Sequence, residues 1–307
     1  MNNIEKLTNQ IKNYALEIGF DLVGITSPEE IEEFKYFKNS LDNGYLSGME
    51  YLYKYQDKRK YPKLLFEDTK SIISLGLNYY TDFKQKNLKI AKYALGDDYH
   101  IFMKEKINLL LEYIKTLKNN VEGKVYVDTA PILERSLAKR AGLGWIGKNT
   151  MLINPKIGSY FYIGELFLNI ELKYDNPIKN YCGTCNECIK SCPTNAIVEP
   201  FVLNSNLCIS YHTIESKDEK IPDNIDIKDN LFGCDICQDV CPWNKKFAKV
   251  SKLNQVQARS FFSNLKDIIT NLTQEKFSTL FKNSAIKRAK FKGIMRNYKH
   301  IQKFNKD

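Results

Sequence analysis

Eight cysteines between residues 182 and 241 are the part of this chain with the plainest chemistry. The first group reads Cys182-x2-Cys185-x2-Cys188-x3-Cys192-Pro193, the full run of a bacterial ferredoxin. Three cysteines two residues apart wrap a tight loop around one iron–sulfur cubane, with backbone amides aimed at its sulfides. The fourth, followed by proline, leaves that loop and ligates a second cubane. The later run, Cys234-x2-Cys237-x3-Cys241-Pro242, lacks a first cysteine at the matching distance, and Cys208 is the one left to fill it. Crossed ligation then gives Cys182, Cys185, Cys188 and Cys241 to one [4Fe–4S] cluster and Cys192, Cys208, Cys234 and Cys237 to the other. Two four-cysteine zinc sites would also use all eight thiols. Zinc ribbons, however, favour paired knuckles far apart over four cysteines in eleven residues ending in Cys-Pro.

Clusters move single electrons and rarely do the chemistry themselves. The remainder of the chain must dock a partner or hold a second cofactor. It has no Gly-x-Gly-x-x-Gly and no Walker loop, so the usual dinucleotide and P-loop signatures are missing. The unusual central stretch runs from Val127-Asp128-Thr129-Ala130-Pro131 to Gly142-Leu143-Gly144-Trp145-Ile146-Gly147-Lys148-Asn149-Thr150. An acid at the end of a strand, before a helix, lies where open sheets place ligands. On local pattern alone Asp128 also reads as a helix cap and the glycines as turns.

The elements that would position these residues follow from periodicity. Apolar residues recur at helical spacing over 4–18, Asp21 to Thr26 reads as a buried strand, and Ser27-Pro28-Glu29-Glu30 signals a helix running to about Leu41. Further strands are expected over Ser71–Tyr80, Lys124–Val127 and Ser159–Asn169. Helices are expected over Tyr99–Leu117 and from Pro131 to about Gly142. The alternation gives an α+β chain of three parts: an N-terminal α/β domain with a central sheet (1–175), a ferredoxin-like two-cluster domain (176–250) and a short basic helical region (251–307).

Charge divides the same way. The net +10 belongs to residues 251–307, with thirteen Lys/Arg against three Asp/Glu, while the first 250 residues balance to zero. Lys287, Arg288, Lys290, Lys292, Arg296 and Lys299 crowd one predicted helix, either as a solvated face or as a footprint for a phosphate backbone. Met1–Lys6 has no apolar core and no run is long enough to span a bilayer, which points to the cytoplasm. In that compartment thiols stay reduced and eight cysteines call for metal rather than disulfides.

At this point the chain resembles a known family, the cobalamin-dependent epoxyqueuosine reductases that complete the queuosine base of tRNA. The likeness runs from about residue 10 to about residue 300. It is carried by Tyr93-Ala94-Leu95-Gly96-Asp97-Asp98-Tyr99-His100, by Asp128 to Asn149, by Ser159-Tyr160-Phe161-Tyr162-Ile163-Gly164-Glu165, by Cys208-Ile209-Ser210-Tyr211 and by Gly233-Cys234-Asp235-Ile236-Cys237 through Asn244. Many members continue into a longer helical-repeat region; this chain has only the first few helices.

The resemblance implies an N-terminal domain that binds cobalamin base-off. Asp128 would be the proton donor, and Arg59, Ala91, Asp128, Lys148, Asn149, Thr150, Ser210 and Asp235 would line the corrinoid. His100, at a helix start, reads as packing or capping rather than as a cobalt ligand. The implied reaction removes an epoxide oxygen from a tRNA wobble base with two electrons and two protons. Asp128 would need its pKa raised by burial to act near neutral pH. A low-potential flavodoxin- or ferredoxin-like donor and a monomeric enzyme complete the expectation. The rivals are a reductive dehalogenase-like corrinoid enzyme and a non-catalytic two-cluster electron-transfer module.

The cysteine pattern yields its own test. Anaerobically reconstituted protein should hold about eight irons and eight sulfides, and Cys208→Ala should damage one cluster selectively. Tightly bound zinc without iron would refute the assignment.

Overall fold

The computed structural model describes residues 3–304. Four strands form the central sheet, in the spatial order Leu22–Thr26, Ser71–Asn78, Phe161–Leu168, Gly123–Tyr126. All three pairings are antiparallel. The alternation of helices and strands had left a parallel sheet open; the antiparallel registers decide for α+β. Ser71–Asn78 is buried along its whole length because both faces are covered, which is why it reads as an unbroken apolar run. Ile73, Leu75 and Leu77 pack with Ile11, Phe102, Met103 and Ile107 from the Asn3–Glu17 and Tyr99–Leu117 helices. Ile72 on the other face packs with Ile31, Phe167 and Leu137, the last of these on the Glu134–Arg140 helix.

The expected helix at Ser27-Pro28-Glu29-Glu30 begins later, at Phe34, and ends at Asp42. Arg140 explains the delay. Its guanidinium donates to Thr26 Oγ1 and to the carbonyls of Ser27, Glu29 and Glu30 at 2.6–3.2 Å. Those carbonyls are therefore committed to a cation and do not start a helical ladder. Ile31 meanwhile is tied to the Lys60 carbonyl at 2.9 Å and buried.

The basic region is also not one helix. Ala285–Ala289 is a 3-10 turn, Lys290 takes a left-handed φ of 58°, and a helix runs over Lys290–Phe304. Ile286, Ile294, Tyr298 and Ile301 share a second core with Leu88, Leu95, Ile209, Leu231 and Phe232. Arg296 donates inward, to the carbonyls of His212, Ser216 and Asp218 at 2.5–2.9 Å. Arg288 forms a two-point ion pair with Glu215 at 2.6 and 3.0 Å. The six cations thus divide into two held by the protein and four exposed lysines.

Residues 95–98 are the joint between this region and the sheet. Gln255 O accepts from Asp97 N at 2.7 Å, Asn283 O accepts from Asp98 N at 2.8 Å, and Arg259 reaches Asp97 at 2.9 Å. A Cβ on Gly96 would lie 2.1 Å from Gln255 O and 2.7 Å from Val256 Cα. Gly96→Ala should therefore force the C-terminal region off its seat, at a cost of about 1–3 kcal/mol. Urea denaturation of the cluster-loaded protein measures it; an unchanged midpoint would show that the joint carries no stability.

Candidate active site and cluster centres

All eight cysteines are free thiols and fall into two spatial sets. Cys182, Cys185, Cys188 and Cys241 line one cavity of about 360 Å³, walled by Trp243, Lys148 and Asn149. Cys188 feels the charges of Cys182, Cys241 and Cys185, and Cys241 those of Cys182 and Cys185. Cys234 and Cys237 feel Cys208 and Cys192 instead. The folded chain therefore groups the sulfurs as crossed ligation requires, with Cys208 brought to the second set. Burial pushes Cys234 up to about 12 and Cys237 well above the ordinary thiol range, so these sulfurs become thiolates only beside positive charge such as iron. Backbone amides already point at the sulfurs: Ala196 N donates to Cys192 Sγ at 3.2 Å, and Ser210 and Tyr211 amides serve Cys208.

The acid cleft begins where the Gly123–Tyr126 strand ends. Asp128 stands at φ 55°, a left-handed turn that aims its carboxylate away from the strand. Tyr99 Oη donates to Oδ2 at 2.7 Å, and His100 Nε2 lies 3.4 Å from the same oxygen. Tyr99 is fixed in turn by stacking on Tyr162, centroids 4.5 Å apart, and His100 Nδ1 contacts Asp98 at 2.7 Å. The chain's own groups set Asp128 low. Lost hydration does push it up, but the hydrogen bonds from His100 and Tyr99, with the charges of His100 and Arg288, outweigh that and hold it below the usual carboxylate range. Solvent reaches 60 % of its side chain, so Asp128 stands at the surface and not in the core.

Sequence reasoning missed the group that is raised. Glu134 Oε1 accepts from Asp128 N at 2.7 Å, and burial, then the Asp128 charge, pushes Glu134 up to about 8. The available signal was an acid opening the helix just after Asp128. His100 was also underrated. Burial lowers it, but the bonds to Asp128 and Asp98 prevail and raise it to about 9.

Of the other expected residues, Lys148, Asn149, Ser210 and Asp235 stand beside the cysteine loops, Ala91 against Gly233, Thr150 beside Arg135 and Arg59 against Tyr51. Thr150, at φ 65°, accepts from Arg135 at its carbonyl at 2.5 Å. Lys148 Nζ donates to Gly183 O and Cys185 O, each at 2.8 Å, and Asn149 Nδ2 donates to Cys237 O at 3.1 Å. Ser210 bonds the Cys208 thiol, and Asp235 is buried with Lys92 N on its Oδ2 at 2.8 Å. Ala91 closes against Gly233, where an added Cβ would sit 2.5 Å away. Arg59 is buried, donates to Tyr51 O, and keeps an Nε with no partner.

Residues 181–244 match the 4Fe-4S double cluster binding domain, and residues 59–129 match the domain described as Epoxyqueuosine reductase QueG. An epoxyqueuosine reductase of Cyclobacterium marinum is 43 % identical over 98 % of this chain and 99 % of its own. The chain belongs to the epoxyqueuosine reductase family. Among solved structures, an epoxyqueuosine reductase with an epoxyqueuosine-modified tRNA-Tyr stem loop superposes with a TM-score of 0.90 at 32 % identity, over 97 % of this chain and 81 % of that one. The Bacillus subtilis enzyme, with its aspartate-bearing catalytic loop swung out of the active site, does so at 0.90 and 31 %, over 97 % and 82 %. The family is one of oxidoreductases, and the electron-transfer-module reading is set aside with it.

The His100 pairings predict a pH signature. His100 rises to about 9 in the folded chain from an ordinary 6.5. Its contribution to stability is thus complete below the unfolded value and fades as pH climbs through the folded one. His100→Gln should lower the urea midpoint clearly at about pH 6 and hardly at about pH 10. A difference independent of pH would contradict the charged bridge.

Proposed function

We propose that this chain reduces epoxyqueuosine to queuosine at the wobble position of tRNA, working in the cytoplasm as a monomer fed by a low-potential flavodoxin- or ferredoxin-like donor. Family membership across nearly the whole chain supports the reaction, and the observation that carries the site is Asp128 on its left-handed turn beside Tyr99 and His100. No described helix is long and apolar enough to cross a membrane.

The cysteine sets would hold two [4Fe–4S] clusters, Cys182, Cys185, Cys188 and Cys241 for one and Cys192, Cys208, Cys234 and Cys237 for the other. Lys148, Asn149, Thr150, Ser210, Asp235, Ala91 and Arg59 would hold a cobalamin between the cysteine sets and Asp128. The unpartnered Nε of buried Arg59 is the polar atom that still needs a ligand there. When bound, cobalamin supplies a strongly reducing, nucleophilic metal next to the substrate.

The chain's own task is protons. Taking the epoxide oxygen away as water consumes two electrons and two protons and leaves an alkene. Asp128 faces the open side and delivers a proton to the departing oxygen. Asp128 is ionised at rest, so the proton it passes on comes from His100, whose Nε2 lies 3.4 Å away, as the C–O bond breaks, and the second proton comes from solvent. Tyr99 keeps the carboxylate oriented throughout. Glu134, pushed up by burial, stays protonated near neutral pH beside it and so adds no second negative charge.

Asp128→Asn should keep both clusters and bind cobalamin yet lose turnover by about 10²–10⁴-fold, the range of a positioned general acid. The assay is anaerobic, with cobalamin, a low-potential reductant and epoxyqueuosine-containing tRNA, read by nucleoside mass spectrometry. Near-normal turnover in a folded variant would remove Asp128 from the mechanism, and a wild-type protein leaving epoxyqueuosine intact would overturn the function.

A further inference from the structure

Residues 51–63 read Tyr51-Leu52-Tyr53-Lys54-Tyr55-Gln56-Asp57-Lys58-Arg59-Lys60-Tyr61-Pro62-Lys63, four tyrosines and five cations against one acid. They fold as two short helices, Glu50–Tyr53 and Gln56–Lys60, joined through Tyr55. None of the four rings is in the core: Tyr51 is 47 % exposed, Tyr53 41 %, Tyr55 63 % and Tyr61 39 %. Packing therefore does not account for them, and four exposed rings gathered in one segment of thirteen residues mark an interaction surface.

Backbone geometry points the same way. Tyr55 adopts φ 54° and ψ 41°, a left-handed conformation that is costly for a bulky side chain, and its ring is the most exposed of the four. The cations share the rings: Lys58 Nζ lies 5.2 Å from the Tyr55 centroid and Lys60 Nζ 4.7 Å from that of Tyr61. Lys60 and Lys63 are paired with Glu30 and Glu29, whereas among the described residues Lys54 and Lys58 have no ion-pair partner. Two cations beside two open rings are thus free for a polyanion.

The segment meets the Asp128 site at its Tyr51 end. The Arg288 guanidinium, gripped by Glu215, stands 5.6 Å from the Tyr51 centroid. The Tyr51 hydroxyl in turn senses Glu215, Arg288 and Asp128. Arg59, beneath, holds the Tyr51 carbonyl.

We propose that Tyr53 and Tyr55, with Lys54 and Lys58, form a stacking platform for the single-stranded nucleotides flanking the modified base while that base occupies the cleft at Asp128. The inference rests on the function proposed above. A base that undergoes chemistry in a pocket leaves its stack, and its neighbours then lose a stacking face. Exposed tyrosines supply a replacement that tolerates any base, and interleaved lysines follow the phosphates.

The test uses the cluster-loaded chain and a tRNA stem loop, with and without epoxyqueuosine, across a salt series. The Tyr53→Ala/Tyr55→Ala double variant should bind the loop about 10–100-fold more weakly with its salt slope unchanged, because stacking carries no counterions. The same pair changed to Leu should lose as much, while Tyr55→Phe alone should bind as wild type does. The Lys54→Gln/Lys58→Gln pair should flatten the slope by about 1.4, as two single-strand phosphates would. KM for tRNA should rise in all but the Phe variant, with turnover at saturation retained. Affinity within about twofold of wild type in the Ala and Leu pairs, clusters intact, would overturn the platform. Wild type that binds the loop but leaves epoxyqueuosine unreduced would instead sink the functional reading, and the unmodified loop would still decide the platform.

Discussion

Lys148 reaches two carbonyls of the first cysteine loop with one ammonium, and Asn149 beside it reaches the Cys237 carbonyl of the second. Two residues later in the same turn, Thr150 O is held by Arg135, which adjoins Glu134 and so the Asp128 cleft. The first cysteine loop has little apolar core of its own beyond Trp145, Ile153 and Cys241, whereas the second set is seated by Ile209, Leu231 and Phe232 in the core they share with Leu88 and Leu95. The first loop is consequently held to this turn by directed hydrogen bonds, and the second by hydrogen bonds and hydrophobic contact together. Electron delivery depends on that spacing, so the Gly147–Thr150 turn is the part on which cluster chemistry and proton chemistry both depend. A lysine suits the place because its flexible stem carries three donors to diverging carbonyls.

The cleft solves a second problem, that of keeping two neighbouring carboxyl groups in different protonation states. Asp128 and Glu134 are linked by a backbone N–H, and their charges repel. Donors are distributed unequally: Asp128 has Tyr99 and His100, while Glu134 has the Asp128 amide and lies deeper. The pair therefore titrates apart, one held ionised and one held protonated, which is the usual structural sign of an acid–base site. The positive φ at Asp128 belongs to the same arrangement, since it turns the carboxylate toward the ring pair instead of back along its strand.

Much of this was legible in the residues. The ferredoxin pattern of the cysteines, in which the fourth ligand of each run crosses to the other cubane, separated the two ligand sets, and the fold brings the thiols together in that way. The Tyr99–Leu117 helix was bounded correctly because its periodicity is long and Asp98 caps it. The failures have one cause, contacts distant in sequence. Ser27-Pro28-Glu29-Glu30 is a good local start signal that Arg140, more than a hundred residues away, overrules. What the chain itself does to Asp128 was illegible for a similar reason: the Tyr99 hydroxyl and the His100 ring that lower it come from another helix.

The basic region shows how charge counted along a chain differs from charge available in space. Arg296 spends its guanidinium on three carbonyls around the Tyr211–Glu215 turn, which follows Cys208. Asn297 beside it, fully buried, donates to Thr213 O and Leu231 O, each at 2.9 Å. These two residues pin the segment that carries a cluster ligand, so part of a sequence that looked like a nucleic-acid footprint is a brace for the iron–sulfur site. Arginine serves this purpose better than lysine, since its planar fork serves several fixed acceptors at once. Exposed Lys287, Lys290, Lys292 and Lys299 remain for solvent or phosphate, and Arg288 stands between the two uses, paired with Glu215 yet close to the cleft. The same short stretch thus anchors the segment that carries Cys208 on one side and brings the Arg288 charge to Asp128 on the other.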